Sequence, residues 1–384
     1  MDQWNPQLLE SLRNVGDPLT DPLVENLFAE RGNQGLAELN KFCQTWKAPA
    51  SDLPHGPIRD FFEAPVQYPA WVDMGKIKHA VRLFYSAPVE TLLVLLVKSF
   101  PQVFVLPSIA DVFYRSDVFN PKTLLRFTIE IAQLIFDLMR SGSLDVDPDK
   151  ALGVIALQKL RMHHSIIRHY VLFHSKLSPW DPALGAPINQ EDLAFGVWGL
   201  GIYDLDGFQK LKLGLTPEDE EATFMVWRVI GFLLGLDERL QVNDISQGRE
   251  LLQVIGTRQA RPSNAGTMLV RQLLKTMEAF LIFPLKAIPV LLMRSLMSAE
   301  AIAILNVPRA HGWIWAAWIV FAFLKLLVKE LNLLRRLLRS AGRRFLTGVM
   351  TAKGRQGQRG QFRIPEEIKR TYGLEAAGSN QQES

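Results

Sequence analysis

Four of the seven histidines, His163, His164, His169 and His174, fall within twelve residues, in a stretch that opens with "RMHHSIIRHY" (161–170). Histidine is the commonest metal ligand among side chains, so metal or cofactor binding is the first chemistry to weigh. On a helix, residues three and four apart share a face. That puts Arg161, His164 and Arg168 in one line and turns His163 about 100° away. A multi-histidine ion site on one helix uses i, i+4 pairs, as in H-E-x-x-H, and no two of these histidines are four apart. No Glu-x-x-His occurs in the chain, which argues against a ferritin-like di-iron site. What remains is one histidine between two arginines. An imidazole can be the sole protein ligand on one side of a haem iron, and guanidiniums can pair with the porphyrin's carboxylates. The other reading is a satisfied structural histidine beside structural arginines. The helix alone does not choose.

Two further stretches bear on the choice. "LLRFTIEIAQLIFDL" (124–138) is apolar round most of its circumference, which predicts a buried helix. Arg126, Glu130, Gln133 and Asp137 nevertheless form a polar stripe at i, i+4, i+7 and i+11. Buried polar groups must be paired or must line a wet or ligand-filled space. The stripe therefore reads as an internal ion-pair line or as one wall of a cavity shared with His164. "SPWDPALGAPINQEDLAFGVWGLGIYDLDGF" (178–208) contains a helix start, with Asn189 as cap and Glu191 and Asp192 in the first turn. Phe195, Trp198 and Ile202 then present an aromatic face, either ordinary core or a flat wall for a macrocycle.

The elements that must hold these residues are helical. Apolar positions recur with a period near 3.6, and alternating strand-like runs are scarce. The spacing predicts helices at 20–30, 74–86, 88–100, 122–140, 151–176, 189–213, 217–236, 246–257, 265–280, 288–304 and 313–340. The chain has 384 residues, 48% of them hydrophobic and 21% charged, enough for a large core. The expected architecture is all-α, one large helical domain with globin-like packing, over 15–305. Ahead of it lies an N-terminal extension, 1–14. Behind it lie an apolar, Trp-rich and basic membrane-associating helix, 306–345, and a polar tail, 346–384. The run "WIWAAWIVFAFL" (313–324) is shorter than the roughly 20 apolar residues a bilayer span needs. With the following Lys and Arg residues it fits lying on or dipping into an anionic membrane surface, or packing on the core with a solvated basic end. The net charge of +4 is too small to argue for nucleic acid. The single cysteine, Cys43, excludes an intramolecular disulfide and a cysteine-based zinc site. The first residues carry an acid at position 2 and no apolar run, so no secretory signal is expected. The expected location is intracellular, at a membrane surface.

Taken together the chain resembles the MpaB-type oxygenase family, which includes the rubber-cleaving latex-clearing proteins. The resemblance runs through "GDPLTDPLVENL" (16–27), "YPAWVD" (68–73), "LLRFTIEIAQLIFDL", "LRMHHSIIRHY", "WDPALGAPINQEDLA" and "MVWRVIGFLLGLDERL" (225–240). It implies an all-helical fold, a b-type haem held through iron by His164, and dioxygen chemistry on an apolar, isoprenoid or lipid-like substrate, as in C=C cleavage. It makes Arg161 and Arg168 candidate partners of the haem carboxylates, Trp198 part of the haem wall, and Glu130 a candidate base beside Arg126. Rubber-cleaving members carry a lysine and a threonine where this chain has Glu130 and Ile131, so rubber cleavage itself is not expected. Two alternatives stay open: a non-catalytic haem- or lipid-binding protein on the same scaffold, and a helical membrane-surface scaffold with no cofactor.

Overall fold

The computed structural model describes residues 3–45, 48–116, 121–146, 151–175, 177–279, 281 and 285–309. Proline starts many of its helices. Pro6–Leu12 (α1), Pro57–Glu63 (α3), Pro88–Val94 (α5), Pro107–Arg115 (α7) and Pro217–Leu233 (α11) each have proline in the first turn, where the missing N–H costs no helical bond. Side-chain caps start others. Asp73 accepts from the backbone of Gly75 and Lys76 ahead of Met74–Ser86 (α4), and Asn189 accepts from Asp192 N ahead of Gln190–Lys210 (α10). At α11, Thr216 and Asp219 form the reciprocal capping box. The remaining helices are Thr20–Gln44 (α2), Phe100–Val103 (α6), Pro121–Leu138 (α8), Leu152–Phe173 (α9), Ile245–Gln259 (α12), Asn264–Glu278 (α13), Ile288–Leu296 (α14) and Ala299–Ile304 (α15). No strand occurs among the described residues. The fold is all-α, as the periodicity predicts.

Two departures have local causes and a third is long-range packing. The helix predicted at 20–30 continues to Gln44 beyond a kink at Gly32, whose φ of 56° only glycine adopts freely. The helix predicted at 88–100 is interrupted at Leu95–Ser99 by a π turn, in which Phe100 N donates to Leu95 O. Residues 4–12, expected as an extension, place Trp4, Leu9 and Leu12 in the main core. That core runs from Trp4 to Val307.

The histidine helix α9 packs between α2 on one side and α8 and α11 on another; α10 packs against α11, α12 and the π turn. Among the described residues no single helix is long and apolar enough to cross a membrane; α4 and the helical stretch 88–103 pass that test only as a pair bent by 93°. The predicted 313–340 helix and the polar tail lie outside the described residues.

Candidate functional site

Helices α7, α8, α9, α10 and α11, with the helical stretch 95–103, line an apolar cavity of about 270 Å³, close to the lower end of the range typical of small-ligand sites, roughly 300 Å³. From α8 come Phe127, Ile131, Leu134, Ile135 and Leu138. From α9 come Leu157, Leu160, Ile167 and both histidines, His163 and His164. His164 therefore faces the cavity that its spacing suggested. The sequence reading had turned His163 away, and that is corrected. At 100° per residue the cavity face of α9 is centred between the two imidazoles, each roughly 50° to one side.

The two histidines are not equivalent. His163 is 5% exposed, whereas His164 is half-buried and keeps accessible surface; both border the cavity. No hydrogen bond to the His164 ring is formed among the described residues. Burial, reinforced by the charge of Arg168 and the proximity of His163, pushes its pKa down to about 3; burial pushes His163 down to about 4. Both are neutral at physiological pH, and a neutral imidazole has a lone pair to donate to a metal. His169 is elsewhere, its ring 4.7 Å from Phe28 and 5.0 Å from Phe173.

The arginines of the motif serve a different purpose. They lie roughly 100° from the centre of the cavity face and border the N-terminal segment. Arg161 Nε donates to Asp17 at 2.5 Å and its Nη2 to the other carboxylate oxygen at 2.9 Å. Burial would raise the Asp17 pKa, but the Arg161 bond and charge, with backbone bonds from Leu19 and Thr20, hold it below the usual range. Arg168 donates to Asp21, to Pro187 O at 2.7 Å and to Ile188 O at 2.8 Å. Two carboxylates four residues apart thus meet two guanidiniums seven apart. Gln190 extends the clasp, donating to Gly16 O and Gly235 O and accepting from Asp237 N. Gly235 has φ of 77°, and a Cβ there would collide with the Arg161 guanidinium, so both backbone and space require glycine. Residues of the blocks 16–27, 160–170, 180–194 and 225–240 come together in this clasp. A further pair meets where Trp71 of "YPAWVD" lies under Arg228, 4.1 Å from its ring centre.

The other expected site residues are placed as follows. Glu130 is 4% exposed but does not border the cavity. The polar stripe of α8 is centred roughly 115° from the face carrying Phe127, Ile131 and Leu138, so the cavity wall on this helix is hydrocarbon. The expectation that Glu130 lines the cavity is corrected on that ground. The Arg126 side chain lies outside the described residues. Trp198 is also off the cavity: its indole donates to Leu240 O at 3.0 Å and stacks on Phe224. The α10 residues at the cavity are Asp192, Leu193, Gly196, Val197 and Leu200.

The cavity contains one carboxyl that the sequence reading took only for a first-turn acid. Asp192 borders it, accepting from Ser108 Oγ at 2.7 Å and from Asn189 Nδ2 at 2.9 Å. Burial pushes its pKa up to about 7, against the hydrogen bonds from Ser108 and Asn189 and the charge of Arg13. Its place at the end of "PINQED", directly before a run of apolar residues, was the available signal.

Among the described residues no three His, Cys, Asp or Glu side chains converge on a point where a bare metal ion could sit. A planar iron-bearing macrocycle makes a smaller demand: one donor and open space. His164 supplies the neutral donor. A Cβ on Gly196, in the cavity wall, would meet nothing within 4 Å, so α10 leaves a shallow recess. The donor suits such a group, with Arg161 and Arg168 already committed to Asp17 and Asp21.

The arrangement of helices can be placed among known structures. The fold resembles that of latex clearing protein. Its closed-state structure matches over 92% of this chain and 94% of that chain, with a TM-score of 0.69 and 18% sequence identity. No family profile and no curated relative matches the chain. The resemblance to latex clearing protein read in the sequence is thus met at the level of the fold.

Proposed function

We propose that this chain is a haem-dependent oxygenase, with His164 as the iron ligand and an apolar, isoprenoid or lipid-like molecule as substrate. The observation that carries the reading is His164 itself, a neutral imidazole without a hydrogen-bond partner among the described residues, bordering an apolar cavity. The family resemblance supports the choice of haem b over other iron groups. Bound haem iron would supply the activation of dioxygen. The chain's own residues do the rest. Leucine, isoleucine and phenylalanine side chains from α8 and α9 take up the apolar body and exclude water. The clasp of Arg161 on Asp17 and Arg168 on Asp21 fixes the rotation of α9 and hence the direction of His164. Asp192 holds a proton at the cavity wall near neutrality and can give or take one there. Glu130, set off the cavity face, is not assigned this role.

A second reading, an apolar-ligand carrier, is favoured by the hydrocarbon wall that α8 presents. The absorption spectrum of the purified protein with pyridine haemochrome assay, followed by oxygen uptake with squalene as a probe polyene, separates the two. A Soret band with substrate-dependent uptake is expected; a Soret band without uptake favours the carrier, and no haem binding contradicts both the iron ligand and the oxygenase. The basic, apolar stretch 313–344 would hold the enzyme at an anionic membrane. Truncation after residue 312 should move it to the soluble fraction, and unchanged sedimentation would remove that part of the proposal.

A further inference from the structure

Helix α10 separates two spaces. Its Leu193, Gly196, Val197 and Leu200 face the apolar cavity, while Phe195, Ile202, Tyr203 and Asp206 border a cleft of about 300 Å³ on a face roughly 130° away. The cleft is completed by α12, by α15 and by Gln102 of α6. Its floor is apolar, with Phe195, Ile202, Leu252 and Ile304. Its walls carry acceptors. We propose that this cleft binds a small organic ammonium ion with an apolar body, at a site distinct from that of the oxygenase reading.

Three observations point to this ligand class. First, the charges bordering the cleft are Asp206, Arg249 and Glu300. Arg249 Nη2 donates to Asp206 at 2.6 Å, so the guanidinium is neutralised and Glu300 supplies the remaining charge. The phenol of Tyr203 senses that balance: burial raises its pKa most, and both Asp206 and Glu300 raise it further, against a hydrogen bond from Gln102. Lys98 stands behind Tyr203, bonded to its carbonyl oxygen at 2.7 Å, and does not border the cleft. Second, Gln102 is 8% exposed, and although its amide nitrogen serves Tyr203, its Oε1 has no hydrogen-bond partner among the described residues. A buried carbonyl oxygen without a donor costs stability unless a guest supplies one. Third, Gly256 sits inside α12, where glycine is costly. A Cβ there would meet only the Phe195 ring, at 3.9 Å, an ordinary contact. Helix packing does not require glycine at this position; its effect is to keep the space above Phe195 open. An apolar body over Phe195 with an ammonium reaching Glu300 and Gln102 satisfies all three features.

Calorimetric titration of the full chain with 2-phenylethylamine, 3-phenylpropanoate and 2-phenylethanol tests the proposal. The amine should bind at least about fivefold more tightly than the alcohol, with the carboxylate weakest. Glu300→Gln should remove the preference of the amine over the alcohol. Gly256→Ala should raise the melting temperature, as alanine does in a helix, while weakening the amine, so loss of binding cannot be assigned to misfolding. Absence of amine binding at millimolar concentration overturns the proposal. So does equal or tighter binding of the carboxylate or alcohol, or amine binding that neither variant alters.

Discussion

The two spaces on either side of α10 are similar in size and opposite in chemistry. The first is walled by hydrocarbon, and the titratable groups on it are His163, His164 and Asp192. Burial drives all three toward their neutral forms, the imidazoles to about 4 and 3 and the carboxyl up to about 7. The second keeps an ion pair and a free-standing carboxylate at a half-open rim. One helix presents both environments, because residues separated by three or four share a face and residues separated by one or two do not. On the proposals above, metal ligation and an apolar substrate belong to the first space and charged recognition to the second.

The sharpest way to break that comparison is at the clasp. Arg161→Ala leaves Asp17 buried without its partner, with an expected loss of about 3–5 kcal/mol in denaturant unfolding. Ligands of the apolar cavity should suffer first, since α9 loses its anchor, while amine binding in the folded fraction persists. A loss below about 1 kcal/mol would mean that the clasp does not set the position of α9. Asp192→Asn sharpens the comparison by pH. The carboxyl is bound to its proton more tightly in the folded than in the unfolded chain, so wild-type stability falls as pH rises from the unfolded value near 4 to about 7. The variant lacks that fall. Relative to wild type it should gain roughly 2 kcal/mol between pH 5 and 7.5, and a pH-independent difference would show that Asp192 ionises normally. The smallest effect is expected from filling one space alone. Gly196→Leu should weaken an uncharged apolar probe such as diphenylhexatriene at least about tenfold, equivalent to about 1.4 kcal/mol, and leave phenylethylamine untouched. Equal loss of both ligands would mean that the two spaces are not independent.

How far the sequence reveals this depends on how local the determinant is. Helix α4 is predicted at 74–86 and found there, because cap and period lie within its own residues. His164 reaches the cavity for the same reason. The partners of Arg161 and Arg168 lie 144 and 147 residues away, so single-helix reasoning left the guanidiniums free for a ligand. On α8, apolar residues cover so much of the circumference that periodicity could not say which stripe faces the cavity. The polar stripe drew notice as chemistry, while the wall is formed by Phe127 and Ile131. Trp198 shows the same limit on α10, where its indole finds Leu240 O across the fold. Asp192 was legible as a helix-start acid but not as a cavity group, since that depends on Ser108 and on α8.

The central claim is that His164, and not its neighbour, holds the iron. Haem reconstitution of the wild-type chain and of His164→Ala and His163→Ala, with the haem-to-protein ratio read from the pyridine haemochrome, tests it most directly. The account predicts one haem per wild-type chain, near-complete loss in His164→Ala and retention in His163→Ala. Retention in His164→Ala, or equal loss in both variants, would contradict it.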